Sequence, residues 1–315
     1  MQILDIVTVV ANPLRWESRT RLAKAAITAW LKEPNVRITL VESAYGGRPH
    51  ELADFARERG LNYVPVRNYT LCWNKESLMN IGLHRAPDDA KYFATLDADV
   101  TWRKPGWAGE IIEALQIFPV IQPWSTAYDL GPNDEHIQTH TSFARLFHEG
   151  KPVVSKAAKF WKFNGGPYEY AHPGFAWAWT RDILDRIGGL FELGGMGSAD
   201  HHMALGMVGA VDKSVPGGAH PNYLAALKAW EGRALTHINQ KIGFIHQTIE
   251  HMFHGSKAAR NYVGRWDMFV GHGFDPYHDL KRNTHGVLEF SGNKPELERQ
   301  WHNYLSDRRE DANFI

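Results

Sequence analysis

The run Tyr92-Phe93-Ala94-Thr95-Leu96 leads straight into Asp97-Ala98-Asp99-Val100. Two carboxylates at i and i+2, where a strand gives way to a loop, can be turned toward one hard cation. A divalent ion held there can bridge the two phosphates of a nucleotide and stabilise a leaving diphosphate as a Lewis acid. A second group of ligating side chains lies late in the chain. Eleven of the 17 histidines fall at or after His201, and His246, His251 and His254 precede an acid-free basic run through Lys257, Arg260 and Arg265. That run can close over a diphosphate, meet an anionic acceptor, or form a solvated face. If Glu250 to His254 is extended, positions 251 and 254 face opposite ways, so one imidazole is expected to enter a given site. Imidazole beside carboxylate suits Mn2+ better than Mg2+, the other ion to consider.

These residues need a scaffold that brings strand ends together. Ile3–Val10, Val36–Val41, Tyr63–Val66 and Tyr92–Leu96 read as strands. Helical stretches at about 19–31, 49–59 and 75–85 alternate with them. Such spacing implies βαβ units and a mainly parallel sheet flanked by helices, an α/β, Rossmann-like class. Ligands bind beyond the carboxyl ends of such strands. After Pro105 the expectation is a helix at 107–117, a strand at 120–124, a polar loop at 129–135 and helical or irregular pieces at 143–147 and 157–163. Next come a strand at 175–179, a helix at 181–187, a helix at 203–208 that Asp200 can cap, strands at 244–248 and 250–254, and a charged terminal helix at 294–309. The stretch from Gly194 reads as Gly- and His-rich and less regular.

Composition narrows the class. The 315 residues balance 35 basic against 35 acidic side chains, which argues against a broad nucleic-acid footprint while leaving room for a local patch. A single cysteine, Cys72, excludes an internal disulfide framework and a cysteine-rich zinc site. No apolar run reaches the roughly 18 residues of a membrane helix, and the first residues lack the basic start of a signal peptide, so a cytoplasmic protein is expected.

The run Cys72-Trp73-Asn74-Lys75-Glu76-Ser77-Leu78-Met79-Asn80-Ile81-Gly82 resembles the Asn-Arg-x-x-Leu-Leu-Asn-x-Gly stretch of the β-1,4-galactosyltransferase family. That family has the GT-A fold of nucleotide-sugar glycosyltransferases. The resemblance implies a nucleotide pocket lined by Trp73, Asn74 and Lys75, with Lys in place of the family's Arg. Lys75 also opens a helix, where anions are favoured. Asp97-Ala98-Asp99 is similar to the family's metal-binding Asp-x-Asp. Met252-Phe253-His254-Gly255-Ser256-Lys257 resembles its late segment with a His ligand, which makes His254 the expected third ligand and His251 the alternative. In this fold the loop after the first strand holds the nucleoside, so Asn12 and Arg15 are expected contacts, with Glu42 accepting from the uracil edge or ribose.

The segments around His172-Pro173-Gly174-Phe175-Ala176-Trp177 and Gly194-Gly195-Met196-Gly197-Ser198-Ala199-Asp200 are similar in order to the family's acceptor region. The comparison implies Asp200 as general base on the acceptor hydroxyl, with Gly174, Trp177 and Met196 facing the acceptor. Ala199 and Met196 replace the family's Glu and Trp, which help hold the acceptor sugar there, so the resemblance does not carry over the acceptor's identity. Residues 1–105 are then the donor half, 106–270 the acceptor and catalytic half, and 271–315 an extension outside the family pattern. The implied activity is metal-dependent, inverting transfer from a UDP-sugar to an acceptor hydroxyl. That extension resembles those of phage and bacterial glycosyltransferase-like proteins, which raises a hydroxymethylated DNA base as an alternative to a glycan acceptor. A nucleotidyltransferase shares the acidic strand end but wants a Gly-rich loop after the first strand, and Asn12-Pro13-Leu14-Arg15 is not one. A non-catalytic sugar-nucleotide-binding protein is the remaining class.

Overall fold

A computed structural model of the chain describes residues 2–154, 171–256 and 264–312. The first half alternates as expected: β1 (Leu4–Ala11), α1 (Glu17–Trp30), β2 (Val36–Tyr45), α2 (Ala53–Glu58), β3 (Asn62–Asn68), α3 (Lys75–Arg85) and β4 (Tyr92–Leu96). Next come β5 (Val100–Trp102), α4 (Trp107–Leu115), β6 (Val120–Gln122), β7 (Thr126–Leu130), β8 (His136–Ser142), α5 (Phe143–His148), β9 (Ala171–His172) and β10 (Ala176–Thr180). The remainder is α6 (Arg181–Ile187), α7 (Ala199–Met207), α8 (Pro221–His237), β11 (Ile242–Phe244), β12 (Thr248–His251), α9 (Gly264–Gly271), β13 (Leu280–Arg282), β14 (Leu288–Phe290) and α10 (Pro295–Asp307).

Seven strands form the central sheet in the order β11-β6-β10-β4-β1-β2-β3. β1 pairs in parallel with β2 and β4, so that Leu4 lies between Val36 and Tyr92. β2–β3 and β6–β11 are also parallel, while β10 runs antiparallel to both of its neighbours. Alternation along the strands sorts the core into two layers. Val7, Phe93, Trp177 and Trp179 point to the side of α7, α8 and α10; Leu4, Ile6, Ala94, Leu96 and Ala178 point to the side of α1 and α4. Burial on both faces explains why these strands read as continuous apolar runs.

Gly82 sets the position of α3. A Cβ there would meet Val7 Cγ1 at 2.5 Å and Val41 Cγ2 at 2.8 Å, so only glycine lets the helix lie this close to β1 and β2. Asn80 then anchors the loop after α6 by bonding both the N–H and the C=O of Leu190.

A second sheet, β5-β12-β7-β8-β9, begins just beyond Asp99. In it His251 pairs antiparallel with Val100 and parallel with Asp129. Residues 271–312 wrap back onto the first half. The Asn74 amide donates to Leu288 O at 2.8 Å, Trp301 Nε1 donates to Leu71 O at 2.7 Å, and Val287 packs with Val41, Val66 and Leu78.

Several expectations shift. The polar stretch at 129–135 is the end of β7 and a turn into β8, paired across the second sheet. The region after Gly194 is more helical than its composition suggests: α7 starts at Ala199 with Ser198 at its N-cap, so Asp200 lies inside the helix and does not cap it. α8 has Pro221 in its first turn and a His220 side chain accepting from Asn222 N. The expected strands at 244–248 and 250–254 resolve into β11, ending at Phe244, and β12, ending at His251. The expected piece at 157–163, and Lys257 and Arg260, lie outside the described residues. Among those residues no helix is long and apolar enough to cross a membrane.

Candidate active site

The β4 terminus presents Asp97 and Asp99 to different partners. Asp97 N–H donates to Phe175 O at 2.8 Å, and its Oδ1 accepts from Lys75 Nζ at 2.9 Å. Lys75 stands in the first turn of α3, with Glu76 Oε1 3.7 Å from its ammonium. Burial works against the Lys75 charge, yet Asp97, Glu76 and Asp200 hold its pKa above the ordinary lysine value.

Asp99 faces the histidines. Its Oδ2 lies 3.1 Å from His254 Nε2 and 3.7 Å from His251 Nε2, and the two Nε2 atoms are 3.2 Å apart. Asp99 Oδ1 is buried and has no hydrogen-bond partner among the described residues. Ligand atoms of the three residues all fall within 4.8 Å of one another. Burial opposes ionisation of Asp99, but the two imidazoles hold it well below the usual carboxylate range. Burial likewise opposes charging His251, yet Asp99 and Asp129 raise its pKa to about 9.

Both rings reach Asp99 because β12 ends at His251. Met252 N–H bonds Asp99 O at 2.8 Å and Gly255 turns with φ +85°, which releases His254 from strand alternation. The expectation that one imidazole would point away therefore fails for a local reason. Asp97, expected beside Asp99 as a ligand, lies outside the three-residue cluster and is paired with Lys75 instead.

The donor set of two imidazoles and one carboxylate fits a divalent ion of the manganese type better than magnesium, which prefers an all-oxygen shell. A buried oxygen with no donor is what such an ion would satisfy.

Asp200 sits in the first turn of α7, where its Oδ1 accepts from His201 N at 2.8 Å. Gly174 makes room for it. A Cβ on Gly174 would lie 2.9 Å from Asp200 Oδ2 and 3.0 Å from His172 Cε1. The Gly174–Phe175 segment thus has Asp200 against one residue and the Asp97 backbone bonded to the next. Gln122 fixes it from behind, donating to His172 O at 2.9 Å. Arg265, the described member of the basic run, is buried and donates to Ser198 Oγ beside Asp200.

Other expected contacts have structural duties. Glu42 accepts from Glu51 N, Leu52 N and Tyr63 Oη at 2.5, 3.0 and 2.6 Å, so its carboxylate anchors the start of α2 and is not offered to a base or ribose. Asn12 closes a ring with the Trp16 backbone, and Arg15 is exposed with φ +61°. Asn74 is buried and holds the β14 backbone. Trp177 and Met196 are 4% and 0% exposed, core side chains with no face for an acceptor; Met196 forms a β-bridge with Trp73.

The sequence reading missed Arg19, Asp129 and Glu310. The Arg19 guanidinium lies 4.8 Å from the Trp16 ring centroid and 5.4 Å from that of Trp73, while Arg308 is 5.0 Å from Trp73. Glu310, with no exposed side-chain surface, binds Arg19 at 2.6 Å and Arg308 at 2.7 Å. Nothing local marks an arginine in the first turn of α1, or an acid near the chain end, as meeting there.

No protein-family model matches the chain, and no curated protein does. Among solved structures it is similar to a mannosyltransferase from Pyrobaculum calidifontis, in complex with GDP-Man and Mn2+ (14% identity, 96% of this chain and 70% of that one, TM-score 0.45). It is similar to the catalytic domain of Drosophila β1,4-galactosyltransferase 7 (11% identity, 67% and 62%, TM-score 0.31). A third is a 4-diphosphocytidyl-2C-methyl-D-erythritol synthase from Anaerococcus prevotii (9% identity, 78% and 87%, TM-score 0.36). What the site does is read from its own residues.

Proposed function

We propose that this chain is a metal-dependent glycosyltransferase that moves a sugar from a nucleotide-diphosphate sugar, a UDP-sugar in the first instance, to an acceptor hydroxyl. The observation that carries this is the meeting of Asp99, His251 and His254 just beyond the carboxyl end of a central strand, with a buried Asp99 oxygen that has no donor among the described residues. The Asp97–Lys75 pair beside it and the resemblance of residues 72–82 to a nucleotide-sugar pocket support the same reading.

Asp99, His251 and His254 would hold the metal ion. When bound, it supplies positive charge to the diphosphate leaving group. Lys75 adds a second positive charge at a helix start, held toward Asp97. Asp200 takes the proton from the acceptor hydroxyl as that oxygen attacks the anomeric carbon. A single direct displacement with one base inverts the configuration. Gly174 keeps the wall beside Asp200 thin enough for a hydroxyl to approach.

Incubation with a panel of nucleotide sugars and Mn2+, with and without EDTA, is expected to release nucleotide only when metal is present. Failure to bind any nucleotide, with or without metal, overturns the reading. Asp200→Asn is expected to keep nucleotide binding and lose transfer by a factor of about 100 or more, the scale of a lost general base. Unchanged transfer removes Asp200 from that role.

A further inference from the structure

Asp129 is a carboxylate no part of the proposed reaction uses. It is 2% exposed, on β7 in the second sheet, and both of its oxygens meet imidazoles. Oδ1 is 2.8 Å from His251 Nδ1, and Oδ2 is 2.5 Å from His140 Nε2. His140 is equally buried. The parallel register of β12 with β7 puts His251 directly beside Asp129, so the bond follows from strand pairing.

We propose that Asp129 is a positioning residue that fixes the tautomer and orientation of His251, so that Nε2 and its lone pair face Asp99 and His254. The Asp129 carboxylate only accepts and lies 2.8 Å from Nδ1, whereas Asp99 Oδ2 stands 3.7 Å from Nε2, so the hydrogen of a neutral His251 ring sits on Nδ1. The His140 ring holds the carboxylate from its other side and stops it rotating away. Phe175, at φ +75°, lays its ring 4.8 Å from that of His251 and limits tilting of the imidazole. A carboxylate behind a ligating histidine raises the basicity of the nitrogen that faces the ion. Asp129 touches neither donor nor acceptor and acts through His251. The inference rests on the metal reading above and deepens it.

Two measurements on the full chain test it. The first is independent of any metal: long-range 1H–15N NMR of the histidine-labelled, metal-free protein at alkaline pH, where the rings are neutral. The wild type is expected to carry the His251 proton on Nδ1, and Asp129→Asn to move a large fraction of it to Nε2, because an amide can donate as well as accept. A wild-type proton on Nε2 overturns the proposal.

The second is Mn2+ titration followed by the EPR signal of the free ion, beside thermal melting. Asp129→Asn is expected to weaken Mn2+ about 10- to 100-fold. His140→Gln, which keeps a donor to Asp129 and leaves the His251 bond intact, is expected to stay within about threefold of wild type. Equal Mn2+ affinity in wild type and Asp129→Asn overturns the positioning role, as does an equal weakening in both variants that tracks their loss of melting temperature. If the wild type takes up no Mn2+, the metal reading falls, and the NMR tautomer still decides whether Asp129 sets His251.

Discussion

Asp200 has little slack. It shares a wall with Gly174, where any Cβ would press on its Oδ2 at 2.9 Å and on His172 at 3.0 Å. Gly174→Ala is therefore expected to displace the candidate base while leaving the Asp99 cluster alone. A displacement near 1 Å in a catalytic group costs on the order of 100-fold in rate. Transfer assays should show that loss in turnover with nucleotide affinity unchanged; a parallel loss of both would place the damage in the fold. Glu76 gives a pH prediction beside it. Burial raises its pKa from 4.5 to about 7, with Lys75 opposing and Asp200 assisting. The folded protein keeps a proton that the unfolded chain releases above pH 4.5, so this contribution is whole below 4.5 and is lost as pH rises through about 7. The span corresponds to about 3 kcal/mol at most. Glu76→Gln should flatten the fall in melting temperature between pH 5 and pH 8, and an unchanged slope would remove Glu76 as its source. The candidate site was partly legible in the sequence. Asp99, Lys75 and Asp200 were marked by type and position, whereas Glu42 and Asn12 looked the same as binding residues until their backbone partners were visible.

The C-terminal segment after α10 behaves as a strap across the first βα unit. Asp311 accepts from Glu17 N and Ser18 N, supplying the N-terminal cap that Trp16 does not. Glu310 is enclosed between Arg19 and Arg308, and Gly255 packs on the strap so closely that a Cβ would come within 3.1 Å of Glu310 Cα. Removing the acid leaves the buried Arg308 guanidinium and the half-buried Arg19 guanidinium without their shared partner. Breaking a buried pair from one side costs about 3–5 kcal/mol. Glu310→Ala should lower the melting temperature by several degrees, and a shift under one degree would mean that the strap is not held by this pair. β1 and β4 were readable because burial on both faces makes their sequences largely apolar. β8 was not, since His136–Ser142 is polar on an outlying sheet and only pairing with β7 makes it a strand. α8 was missed because its 17 residues mix apolar anchors such as Leu227 and Trp230 with Gly232 and scattered charges.

The three residues of the Asp99 cluster come from separate parts of the molecule. Asp99 lies in the turn from β4 of the central sheet into β5 of the second, His251 ends β12 of the second sheet, and His254 follows in the turn against the C-terminal strap. An ion bound by all three joins both sheets and the strap, and it stabilises only the folded chain. At a free concentration near 100 times its dissociation constant, that amounts to about 2.7 kcal/mol. Thermal melts in Mn2+ without nucleotide should therefore run roughly 5 °C above melts in EDTA, at the few degrees per kcal/mol expected of a chain this size. Asp99→Asn and His251→Ala should lose that increment while still melting cooperatively in EDTA. Asp97→Asn separates the two ligand sets that sequence and geometry suggest. Asp97 is paired with Lys75 at 2.9 Å and stands outside the cluster, so its variant should keep most of the Mn2+ increment. Loss of the increment in Asp97→Asn, with its retention in His251→Ala, would return the ligand set to Asp97, Asp99 and His254.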